Sequence, residues 1–471
     1  MGSLLRRQIV IKSAFLIGNV LLARILTPEV FGIYGIVTFV TQFFSLFGDI
    51  GLGAAFVRKT GYLSEDELAT TFWMQQAMVW FVVGLVILLA PLALIVYPSL
   101  PPSSVWLIRA MAISLILMSL KTVPAILLER TLAFDRIARV DITEHVSYQV
   151  VAVMLALLGF GVWSFVLAAL IRGSIGIIMI YSLSPWRPSF KYRFDAIRGA
   201  IKFGIPYQAN NVVNFLKEAI APLFVGAYAG AAAVGYLSWA KTLAFAPLII
   251  SASFERVAFP TFSKIQHDRQ LLTRSIERSM RSMTLLLFPV TAFLIALGPD
   301  IIRIVFTEKW MPGLWAFYFY CTSPLVIGVM MPMYSGILSL GKSAILLKMT
   351  IVLVCLEWGL GIPFVMQFGF TGMAMNQPVI AIIFFMIYRS VLRSEGISIS
   401  VFDNIKRQLA LAAVTGVLMK LVVLSFTITA ITLVIVSVIG SAGYILLAYA
   451  MNRQMTLEFK DHLMAIARGN R

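Results

Sequence analysis

Side chains suited to binding anions, carrying protons or hydrogen-bonding sugars occur here inside segments otherwise built for hydrocarbon. The clearest case is NNVVNFLKEAIAPLFVG, residues 210–226, where Lys217 and Glu218 stand side by side in a long apolar run. A charge near a bilayer centre costs about 2.5–3.5 kcal/mol on insertion scales, so such groups face a bundle interior or a watery cavity and find partners there. Around them Tyr207, Asn210, Asn211, Asn214, Lys217 and Glu218 recur at helical spacing and share one face. Thr38, Thr41, Gln42, Ser45 and Asp49 form a second such stripe. Asn19, Gln75, Gln76, Ser114, Lys121, Arg172, Ser238, Lys241, Thr242, Glu357, Asn376 and Gln377 lie singly or in pairs in other apolar segments. Ser, Thr, Asn and Gln commonly bond one membrane helix to another; the charged groups ask for more. Successive residues point about 100° apart on a helix. Lys217 is therefore expected to turn from Glu218 and meet Asp49 or a bound anion. An interhelical salt bridge is the plain alternative.

The sign of these groups points to the cargo. Arg24, Lys121, Arg172, Lys217 and Lys241 outnumber Asp49, Glu218 and Glu357. An excess of Lys and Arg suits a phosphate, and Asn210 and Asn214 suit sugar hydroxyls. If transport is coupled to protons or sodium, Asp49, Glu218 and Glu357 are the candidate carriers.

Long helices must position these residues. Of 471 residues 60% are hydrophobic and 13% charged, where a soluble protein has about 25% charged. Apolar runs long enough to cross a bilayer fall at 9–27, 30–50, 71–97, 105–128, 145–160, 162–183, 203–226, 231–254, 281–299, 313–339, 343–366, 369–388, 408–426 and 428–450. The fold class expected is an all-α polytopic membrane protein with about fourteen spanning helices. Taking both ends as cytoplasmic puts most of the 38 lysines and arginines on the inner side, as the positive-inside rule requires. PEVFGIYGIVTFV (28–40) and AAAVGYLSWAKTL (231–243) align with Gly32 opposite Gly235. That spacing of six helices suggests two parallel repeats. The domains expected are 1–202, 203–393, and 394–471 with the last two helices and a cytoplasmic tail.

Other chemistries are excluded. The net charge of +17 fits basic cytoplasmic loops, since no long soluble basic segment exists to hold nucleic acid. No P-loop, H-E-x-x-H or G-x-S-x-G motif occurs. His145, His267 and His462 share no metal-ligand spacing, and Cys321 and Cys355 read as packing residues. The first apolar run lacks a cleavage site and reads as a first helix; MGSLLR lacks the hydroxyl residue that a myristoylation signal needs. No cofactor or metal is expected.

LLARILTPEVFGIYGIVTFV (21–40) and GDIGLGAAFVRK (48–59) resemble the start of bacterial polysaccharide flippases of the Wzx type, relatives of lipid II flippases and multidrug extrusion transporters. GVWSFVLAAL (161–170), AAAVGYLSWAKTLAFAPL (231–248), FERVAFPTFSKIQHDRQLL (254–272) and PDIIRIVFTEKWMPG (299–313) extend the resemblance over about 1–340. Thr307 stands where many relatives have glycine, and Lys217–Glu218 matches no motif of that family. The resemblance implies two six-helix lobes in a V shape around a cavity, with two C-terminal helices adding a groove for a lipid tail. It implies movement of an undecaprenyl-pyrophosphate oligosaccharide to the outer leaflet of the bacterial cytoplasmic membrane by alternating access. Partners would be that lipid-linked oligosaccharide, membrane lipids, and the polymerase and glycosyltransferases of the pathway, with the chain a monomer. Rivals are a lipid II or small-molecule exporter of the same fold, or a membrane polymerase or ligase. An enzyme would have little outer-surface chemistry beyond Asp300, Arg303, Glu308 and Lys309.

Overall fold

The computed structural model describes residues 2–49, 51–249, 251–425 and 429–451. The side chains of Arg6, Arg7, Tyr207 and Arg256, and the tail residues Arg453, Lys460, His462, Arg468 and Arg471, lie outside the described residues. Among the described residues every regular element is helical, and the described parts of the expected apolar segments lie largely on helix. Among the described residues eleven helices are long and apolar enough to cross a membrane, and Ile431–Leu447, within the helix Ala430–Met451, is a shorter apolar stretch. Ala231–Ala244 is shorter, ending before a 3₁₀ turn at Ala246–Ile249 and the helix Ser251–Ile265. The chain is an all-α, multi-pass membrane protein.

Caps and prolines set the helix limits. Pro28–Gly48 starts with Pro28 in the first turn, where no N–H is needed, and Thr27 Oγ1 accepts from the Val30 amide at 3.4 Å. Glu65–Leu89 opens on a capping box: Ser64 Oγ accepts from the Glu67 amide at 3.3 Å, and the Glu67 carboxylate accepts from the Ser64 amide at 2.9 Å. Pro124 stands four residues past Leu120, where its ring evicts that carbonyl from the ladder. Ser104–Leu120 therefore stops and Thr122–Arg130 resumes, with Lys121 left at the break. The freed Leu120 oxygen accepts the Tyr181 hydroxyl at 3.0 Å. Phe194–Ile220 widens at Pro222 into a π turn, Ala221–Val225, before Gly226–Ala229.

The described residues form two compact units, one ending at Gly235 and one beginning at Tyr236. In the first, Ile33, Ile36 and Val37 pack with Val82, Val83, Val86, Ile108, Ala112 and Leu115. Beside them Leu22 and Leu26 meet Phe165 and the alanines Ala152, Ala156 and Ala168, small residues that let helices approach closely. In the second, Leu272, Ile276, Met280 and Phe288 of Arg269–Ile301 pack with Met333 and Ile337 of Leu314–Ser339 and with Ile380, Phe384 and Leu392 of Phe370–Ser394. Large apolar side chains such as Phe81, Leu88, Ile178, Leu424 and Val438 stay exposed, as hydrocarbon contact allows.

Candidate functional site

The Phe194–Ile220 helix holds its polar face open. Asn210 and Asn214 are exposed, and Asn214 Nδ2 donates to the Asn210 carbonyl at 3.0 Å. The Lys217 and Glu218 side chains are 34% and 55% exposed. They pair with each other, Nζ to Oε1 at 3.4 Å, which corrects the expectation that they turn apart. The Cβ directions do diverge, but four methylenes let the ammonium curl back across that angle. Asp49 is not its partner. Asp49 caps Pro28–Gly48, and its Oδ1 accepts from the Gly51 amide at 2.8 Å, shaping a turn in which Gly51 has φ +74°.

The two stripes are nonetheless joined inside the first unit. Gln208 Nε2 donates to the Leu46 carbonyl at 2.9 Å, and Asn211 Nδ2 donates to Gln208 Oε1 at 3.0 Å. One turn on, Phe215 stacks on Phe39 with centroids 5.2 Å apart. Within the Pro28–Gly48 stripe, Thr41 and Ser45 hydroxyls turn back to the Val37 and Gln42 carbonyls. An apolar groove of about 450 Å³ adjoins this stripe, lined by Phe43, Phe44, Phe47, Met78, Phe81, Val82 and Leu85. It suits hydrocarbon and offers nothing to a charged group.

Lys121 and Arg172 are brought together by a residue that the apolar pattern did not single out. Lys121 Nζ donates to Glu144 Oε1 at 2.5 Å, and Arg172 Nε lies 3.8 Å from Glu144 Oε2. By hydropathy the fifth segment starts at 145, because the preceding turns hold Asp135, Arg136, Arg139 and Asp141. The helix in fact runs Phe134–Leu157, so Glu144 lies inside it and is buried. Arg24 is exposed in the last turn of Gly2–Ile25.

The second unit holds the remaining candidates. Lys241 Nζ sits 5.7 Å from the Phe245 ring centroid. Glu357 is buried, and its carboxylate accepts from Gln377 Nε2 at 2.9 Å and from Asn376 Nδ2 at 3.4 Å. Asn376 is fully buried with its Oδ1 lacking a hydrogen-bond partner among the described residues. Lys420 pairs with Asp300 at 3.0 Å, which accounts for a lysine in a spanning segment and places Asp300 inside a helix. His267 is exposed and His145 half-buried. Among the described residues no three His, Cys, Asp or Glu side chains group as a metal site. Cys321 and Cys355 are free thiols, the second exposed.

The family described as polysaccharide biosynthesis protein matches residues 21–314. Among curated relatives, the succinoglycan biosynthesis transport protein of Rhizobium meliloti (strain 1021) is 27% identical over 292 residues, covering 62% of this chain and 58% of that protein. A lipopolysaccharide biosynthesis protein of Escherichia coli (strain K12) is 21% identical over 300 residues, 63% of this chain and 60% of its own. In both cases the matched stretch is less than two thirds of the relative's length. Among solved structures, the lipid II flippase MurJ in an inward closed conformation superposes with a TM-score of 0.74 at 15% identity, covering 96% of this chain and 98% of that one. An inward-facing multidrug resistance transporter gives 0.62 at 15% identity, covering 82% and 95%. At such identities the likeness is one of fold.

Proposed function

Because the chain belongs to the polysaccharide biosynthesis protein family, we propose that it is a flippase carrying a lipid-linked oligosaccharide, on undecaprenyl pyrophosphate, across the bacterial cytoplasmic membrane for surface polysaccharide export. The observation that carries this reading is the open polar row Asn210, Asn214, Lys217 and Glu218 on a helix long and apolar enough to cross a membrane. Polar groups held open at that depth fit a watery path for a sugar headgroup. Transport proceeds by alternating access, with lobes 1–202 and 203–393 moving and both termini cytoplasmic. The basic residues Arg24, Lys121, Arg172, Lys217 and Lys241 receive the pyrophosphate, and Asp49, Glu218 and Glu357 are the carboxylates available to a coupled proton or sodium ion.

Deletion of the gene tests this directly. Surface polysaccharide is expected to disappear while lipid-linked oligosaccharide accumulates in the inner leaflet. Intact surface polysaccharide in the deletion strain would overturn the reading. A polymerase or ligase would instead leave the lipid-linked units in the outer leaflet. A lipid II cargo would show as rescue of cell-wall synthesis in cells depleted of their own lipid II flippase.

A further inference from the structure

The cluster around Glu144 holds more cationic capacity than it uses. One carboxylate serves both Lys121 and Arg172, so the cluster keeps one net positive charge. The Arg172 contact at 3.8 Å is an ion pair beyond hydrogen-bond range. Arg172 makes no hydrogen bond among the described residues; its remaining contact is with the face of the Tyr148 ring, 5.8 Å away. Its donor fork is therefore unused, and a guanidinium fork matches a phosphate in shape and charge. Both cations reach outward, with side chains 17% and 34% exposed, while Glu144 is held to 9%.

The carboxylate is pinned from behind. A Cβ at Gly176, one turn past Arg172, would stand 1.8 Å from Glu144 Oε1, so Glu144 lies against bare backbone. One turn from Glu144, the Tyr148 hydroxyl donates to the Tyr34 hydroxyl at 3.1 Å, and Tyr34 stacks on Phe165 at 4.5 Å. The carboxylate is thus the fixed partner, and the two cations are the ones free to meet a ligand.

We propose that Lys121 and Arg172 form a phosphate site and that Glu144 is its built-in competitor: an incoming phosphate takes over the two cations that the carboxylate otherwise holds. This rests on the reading of the chain as a carrier of a phosphorylated lipid. A carrier must release what it binds, and a resident carboxylate returns the cations to a paired state as the phosphate leaves.

The test measures inorganic pyrophosphate binding to the purified full-length chain in detergent. Glu144→Gln removes the competing charge while keeping the shape, and binding is expected to tighten about tenfold, the scale of one neighbouring charge. Arg172→Lys keeps the charge and loses the fork, and binding is expected to weaken about tenfold. A Glu144→Gln protein that melts like the parent yet binds pyrophosphate no tighter overturns the proposal. If that variant does not fold, Arg172→Lys decides alone, and unchanged binding there overturns it. A parent chain that binds no pyrophosphate at millimolar concentration also overturns it, while leaving polysaccharide export standing. The expected pattern in a chain whose deletion spares surface polysaccharide would keep the site and remove the flippase reading.

Discussion

Gly32 and Gly235 meet backbone to backbone, each against the carbonyl four residues before the other. A Cβ on Gly32 would stand 1.6 Å from the Ala231 oxygen, and one on Gly235 would stand 1.9 Å from the Pro28 oxygen. The reciprocity is that of a local two-fold crossing, made within the first unit by the two glycines that the sequence alignment sets opposite each other. Small residues at such a crossing let two membrane helices touch at the main chain. Gly32→Ala and Gly235→Ala should each lower stability by about 1–3 kcal/mol, the usual range for overpacking. Because both disturb one contact, the double variant should cost less than the sum. Melting of the purified variants in detergent checks this, and additive losses would separate the two sites.

Thr307 has φ +84° and ψ 158°, a region that only glycine enters without strain. Its Oγ1 is buried without a hydrogen-bond partner among the described residues. This explains in physical terms why a glycine suits the position. Thr307→Gly should raise stability by about 1 kcal/mol, the released strain exceeding the added chain entropy of glycine. A lowered melting temperature would contradict this.

Asp300 is nearly buried and has Lys420 as its ionic partner at 3.0 Å. Removing one member of a fully buried pair typically costs about 3–5 kcal/mol. The Lys420 side chain is 36% exposed, so Lys420→Met should cost roughly 2 kcal/mol. Adding Asp300→Asn should recover most of that loss, since no uncompensated charge is then left. A double variant as unstable as the single one would show that packing, not charge, holds the two helices.

Glu395 lies between the Phe370–Ser394 and Val401–Ser425 helices, outside both. The hydrogen bond from Lys342 at 2.8 Å, with Arg269 at 3.7 Å, holds its carboxyl below the usual carboxylate range. A carboxyl whose folded pKa is depressed stabilises the fold above its ordinary value of about 4.3, and that contribution is lost as pH falls through the lowered one. Parent and Glu395→Gln should therefore differ in melting temperature at neutral pH and converge as pH falls below the ordinary carboxylate range. A constant difference across that range would rule the ion pair out.

Composition and apolar period determined that this chain is helical and crosses a membrane, because burial in hydrocarbon leaves backbone polar groups only the helix to satisfy them. The same period put Asn210, Asn214, Lys217 and Glu218 on one face, and the local repeat singled out Gly32 and Gly235. Tertiary structure decided which charges meet. Glu144 was hidden because a charged helix start reads as loop by hydropathy, although the helix continues through it. Lys217 reaches back to Glu218 because a long side chain is not bound by its Cβ direction. Asp300 found Lys420 across 120 residues of chain, and Gln208 found the Leu46 carbonyl across 162. Such pairings depend on which helices the fold sets side by side, and a period along one helix carries no record of its neighbours.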